Sequence, residues 1–113
     1  RFGISRPAER RAEGGRQVSA AAGGQRKAIT IVNERGLHAR ASAKLVEVAS
    51  RWPDTTVIRV AKEDREVDGR SILDLMMLGA ARGDEIVLIV EGEDAPAALA
   101  EIATLVETGF GEE

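Results

Sequence analysis

At 113 residues the chain has the length of one domain, enough to bury a single core. It contains no cysteine and one histidine, which excludes disulfides, thiolate nucleophiles and multi-histidine metal sites, so no metal and no cofactor is expected. Charge divides unevenly: residues 1–27 carry seven Lys or Arg against Glu9 and Glu13, while 28–113 hold nine basic and seventeen acidic residues, net −8. The predicted organisation is a basic, disordered extension over 1–27 followed by one acidic domain over 28–113. An acidic domain has the wrong sign for nucleic acid, whose binding is driven by release of phosphate counterions. No run of 18 apolar residues is present, so membrane insertion is not expected and the location is read as cytoplasmic.

Along the chain, Ile29-Thr30-Ile31-Val32 reads as a strand and Asn33-Glu34-Arg35-Gly36 as a turn. His38 follows at once. Ala41, Leu45, Val48, Ala49 and Trp52 then recur at the spacing of one helix face, which predicts a helix over 39–51, stopped by Pro53. Val57–Val60 and Glu66–Asp68 flank the charged Lys62-Glu63-Asp64 and predict a hairpin. Ser71, with Asp74 three residues on, has the form of a capping box opening a helix over 72–78, with Gly79 at its end. Ile86–Val90 is apolar on both faces, the mark of a central strand. Asp94 and Pro96 open a last helix with Ala95, Leu99, Ile102 and Val106 on one face and Gly109 beyond it. The order β-α-β-β-α-β-α predicts an α+β fold: an open two-layer sandwich, a four-stranded antiparallel sheet with three helices on one face.

His38 falls where a glycine-containing turn meets a helix N-terminus. The first backbone N–H groups of a helix have no intrahelical partner and its dipole favours negative charge, so an anion held on His38 would be stabilised there. Arg40 lies two residues on, and its planar guanidinium can give two parallel hydrogen bonds to phosphoryl oxygens, a fork that lysine cannot reproduce. A neutral imidazole offers a nucleophilic ring nitrogen. On these residues alone a surface or capping histidine remains open beside a phosphoryl acceptor.

The run Gly36-Leu37-His38-Ala39-Arg40 resembles the active-site signature of the HPr family, the histidine phosphocarriers of the bacterial phosphoenolpyruvate phosphotransferase system. The resemblance extends from about Ala28 onward through Ser71-Ile72-Leu73, Leu75-Met76-Met77-Leu78 and Gly109-Phe110. It implies that His38 takes phosphate from phosphorylated enzyme I and passes it to an enzyme IIA protein, that the δ nitrogen is the phosphorylated atom, and that Ala39 and Arg40 hold the phosphate. The chain would thus be a carrier rather than a stand-alone enzyme, and a monomer. Its second-helix run and its ending are more similar to the nitrogen-related branch than to sugar uptake. One departure is Ala41, where many members have proline; proline pre-organises a helix start, so a looser loop is expected here.

Ser71 has two compatible readings, an N-cap and, by the resemblance, a regulatory phosphorylation site for an HPr kinase/phosphorylase. The helix after it is apolar nearly all round. Leu75 and Leu78 are expected in the core and Ile72, Leu73, Met76 and Met77 at a partner-docking surface. The competing class is a small α+β interaction module without phosphoryl transfer; it would have no need of His38 or Arg40.

Overall fold

Strands and helices alternate along residues 24–112, the part of the chain that the computed structural model describes. In chain order they are β1 (Gln25–Thr30), α1 (Ala39–Ala49), β2 (Val57–Lys62), β3 (Arg65–Asp68), α2 (Ile72–Met77), β4 (Glu85–Glu91) and α3 (Ala95–Glu107), then a short 3-10 turn at Gly109–Gly111. The sheet order is β1-β4-β2-β3, with every neighbouring pair antiparallel. β4 is central, as its unbroken apolar run requires, and Ile86, Leu88 and Val90 are all buried.

The helices present their apolar stripes to this sheet. Ala41, Leu45, Val48 and Ala49 are buried on α1, and Ala95, Ala98, Leu99, Ile102, Ala103 and Val106 on α3. Together with Ile29, Ile58, Val60 and Leu75 they form one core. The expected open sandwich is the one found.

Several boundaries differ from the sequence reading. β1 runs from Gln25, not Ile29, and Gln25 to Lys27 face Val90 to Leu88 across the ladder. As an edge strand with one exposed face, β1 tolerates polar residues that interrupt an apolar pattern. The folded part therefore starts no later than Gln25, ahead of the boundary drawn at 28. The disorder expected for the preceding extension lies outside the described residues over 1–23. Ile31 continues the edge irregularly, its N–H donating to Asp84 O at 2.9 Å and its carbonyl accepting from Gly83.

α1 ends at Ala49 rather than 51, since Arg51 and Trp52 make tighter bonds to Val48 and Ala49 carbonyls before Pro53. The β2–β3 hairpin closes more tightly than expected, with Lys62 opposite Arg65 and Glu63 in the left-handed region at φ 57°. Ser71 caps α2, its Oγ accepting from Asp74 N at 3.2 Å. Asp94 occupies the N-cap position of α3 but its side chain makes no capping bond, because its backbone is not extended and Pro96 already removes a donor from the first turn.

Candidate functional site

Gly36 turns the chain after β1 with φ +61°, and it lies so close to the α2–β4 loop that a Cβ would be 2.3 Å from Ala80 O. Leu37 N–H donates to the same carbonyl at 2.9 Å and the Leu37 side chain enters the core. The loop is thereby pinned on both sides of Gly36. His38 comes next, in extended backbone at the N-cap of α1, with its ring making no capping bond and so free for other work.

Beyond the helix start, Ala41 is fully buried and Ser42 donates its hydroxyl to Leu37 O at 3.1 Å, while Ser42 N–H closes on His38 O. These contacts tie the helix entry that a proline would otherwise stiffen. Nothing in the sequence pointed to this use of the Ser42 hydroxyl.

The His38 ring borders an open cleft of about 720 Å³. Ala39 and Arg40 of α1 line it beside Arg35, Lys44 and Glu112. Three cationic side chains thus share the cleft with the imidazole, alongside the carboxylates of Glu34 and Glu112, and the ring stands at the α1 start, where free N–H groups favour an anionic group. Lys44 also donates to Phe110 O at 2.7 Å, which moors the end of the chain to α1.

That end supplies a side chain the sequence reading missed. Gly109, Phe110 and Gly111 all take positive φ, at 67°, 59° and 73°, which curls the segment back so that Phe110 plugs the core. Glu112 then reaches His38, with Oε2 2.8 Å from Nε2, and accepts from Asn33 Nδ2 at 3.1 Å on its other oxygen. Asn33 Nδ2 also donates to Gly36 O at 2.9 Å, while Asn33 Oδ1 is buried without a partner among the described residues. Partial desolvation pushes the Glu112 carboxyl upward, but hydrogen bonds from Asn33 and His38 and the charges of His38 and Lys44 outweigh it. The net effect holds Glu112 below the ordinary carboxylate range.

The structure thus gathers His38, Ala39 and Arg40 in one cleft and adds Arg35, Lys44 and Glu112. A local signal existed for Arg35, directly before Gly36, and for Lys44, one helical turn beyond Arg40. Glu112 had none, being 74 residues from His38.

Ser71 and the apolar residues of α2 are not in the cleft. They lie on α2, which packs against α1. Leu75 and Leu78 are buried as expected, whereas Ile72, Leu73, Met76 and Met77 are exposed, Leu73 at 66% and Met77 at 60%. Among the described residues no cluster of three or more His, Asp or Glu is placed to hold a metal ion, and no helix is long and apolar enough to cross a membrane.

Residues 25–108 match the family model described as "PTS HPr component phosphorylation site". The phosphocarrier protein HPr of Pseudomonas aeruginosa is 45% identical over 85 residues, covering 74% of this chain and 92% of that protein. The phosphocarrier protein HPr of Neisseria meningitidis serogroup A is 41% identical over 87 residues, covering 77% and 96%. Among solved structures, an HPr from Thermoanaerobacter tengcongensis superposes with a TM-score of 0.74 at 37% identity, covering 79% of this chain and 98% of that one.

Proposed function

The chain belongs to the HPr family of phosphotransferase-system phosphocarriers, and from that membership we propose that His38 is the residue that carries the phosphoryl group. The observation that supports this reading is the placement of the ring at the α1 N-cap, uncommitted to capping, in a cleft flanked by Arg35, Arg40 and Lys44. A phosphoryl group on the ring would meet the N–H groups of Ala39 and Arg40 and the Arg40 guanidinium. Each charge-assisted hydrogen bond of this kind contributes about 1.5–3 kcal/mol. The phosphoryl group leaves again when an acceptor's nucleophile attacks phosphorus: the new bond to the acceptor forms as the N–P bond breaks, its electron pair returning to the ring nitrogen.

In this reading phosphorylated enzyme I is the donor, drawing on phosphoenolpyruvate, and an enzyme IIA-type protein is the acceptor, with the chain acting as a monomer in the cytoplasm. The exposed Ile72, Leu73, Met76 and Met77 of α2 form the docking surface beside the cleft. Ser71 is a second, regulatory phosphorylation site. Its phosphate would keep acceptor oxygens at the α2 N-terminus while adding nearly two negative charges to the docking face.

The test is incubation with phosphoenolpyruvate and a bacterial enzyme I, followed by intact mass and acid lability, with His38→Ala alongside. One acid-labile phosphate, absent from His38→Ala, is the expected result. No phosphate with several enzyme I proteins overturns the reading in favour of a plain interaction module.

A further inference from the structure

A neutral imidazole carries its proton on one ring nitrogen and a lone pair on the other, and only the lone pair can attack phosphorus. What the first nitrogen touches decides which one is free. His38 Nε2 lies 2.8 Å from Glu112 Oε2. The other Glu112 oxygen accepts from Asn33 Nδ2, whose amide orientation is itself fixed, because the reverse one would set Oδ1 against both the Gly36 carbonyl and the carboxylate. Phe110 in the core and the Lys44 bond to its carbonyl hold the Glu112 backbone in place. An ionised carboxylate has only acceptors to offer, so at 2.8 Å the proton belongs on Nε2.

We propose that Glu112 is the positioning residue of His38: oriented by Asn33, its carboxylate keeps the proton on Nε2 and leaves the lone pair on Nδ1, where the phosphoryl group is received. The transfer step in this statement rests on the phosphocarrier reading; the tautomer does not. In the step, the Nδ1 lone pair forms the new N–P bond while the bond from phosphorus to the phosphorylated donor protein breaks, its electron pair leaving with the donor. The Nε2 proton stays where it is, and the ring gains a positive charge that Glu112 faces. The family match covers residues 25–108 and does not include Glu112. Glutamine cannot replace Glu112. With its one oxygen accepting from Asn33 Nδ2, its NH2 faces His38 Nε2 as a donor, a contact that favours the lone pair on Nε2 and the proton on Nδ1.

Long-range proton–nitrogen spectra of the ¹⁵N-labelled full chain, taken where the imidazole is neutral, report the tautomer directly. Wild type is expected to show Nε2–H almost alone. Glu112→Ala should move toward the mixture seen for histidine in an unstructured peptide, and Glu112→Gln further from Nε2–H than Glu112→Ala, because its NH2 donates to Nε2. Phosphoryl acceptance from enzyme I should fall about ten-fold in Glu112→Ala, the loss of one charge-assisted hydrogen bond. A Glu112→Ala ring that keeps the wild-type tautomer overturns the proposal, whatever happens to the melting temperature. A wild type that takes no phosphate while its ring responds to Glu112→Ala upholds the positioning role and overturns the phosphocarrier reading instead.

Discussion

Gly36 shows how little room the site leaves for change at a single residue. A methyl group there would face Ala80 O at 2.3 Å and Ala81 Cα at 2.8 Å, both backbone, in a left-handed conformation that side chains disfavour. Gly36→Ala is expected to lose about 2 kcal/mol or more of stability in chemical denaturation and to slow phosphoryl acceptance further, since His38 is two residues away. Arg40 is the opposite case, exposed and lining the cleft. Arg40→Ala should leave the denaturation midpoint unchanged and reduce transfer roughly 10- to 100-fold, and Arg40→Lys should restore only part of it, because lysine keeps the charge without the fork. His38 and Arg40 were legible in the sequence because the glycine turn, the histidine and the arginine lie within five residues. Glu112 was not, because its place depends on the fold bringing Gly109–Gly111 back to α1.

Within α2 the core and the exposed apolar face proposed for docking are separated by single steps along the helix. Leu75 is fully buried and Met77 mostly exposed. Leu75→Ala is expected to cost about 2–5 kcal/mol, the range for removing a buried leucine, whereas Met77→Ala should cost little. Met76→Glu should likewise leave stability near wild type but impair transfer between partners, and unchanged partner kinetics would remove α2 from the docking surface. Ser71→Ala should cost about 1 kcal/mol through loss of the cap to Asp74 N. The periodicity of α1 and α3 and the unbroken apolar run of β4 located these elements from sequence. The start of β1 escaped it, because its length follows from pairing with β4 and not from its own polar residues Gln25, Arg26 and Lys27.

At the scale of the whole fold, charge links stability to pH at two carboxylates among the described residues. Asp84 is held below its ordinary value by hydrogen bonds from Ala81 N–H and Lys62, with the Lys62 charge adding to them against partial desolvation. Glu112 is lowered as well. A carboxyl whose folded value lies below its unfolded one contributes stability above the ordinary carboxylate range, and loses it as pH falls through the lowered folded value. Asp84→Asn should therefore be less stable than wild type at pH 7, and the two should converge on acidification, which urea denaturation at a series of pH values would show. A gap that persists at the lowest pH would mean that Asp84 acts by packing rather than charge.

The contacts that shape the His38 surroundings span long stretches of chain: Leu37 N–H reaches Ala80 O, and His38 reaches Glu112. A short fragment containing the glycine turn and α1 has neither anchor, and a nascent chain acquires both only once residue 112 has been synthesised and the sheet has closed. Full readiness to take phosphate would thus come only with the folded molecule. Half-made or misfolded copies would compete poorly for the phosphoryl traffic and divert little of it from working ones.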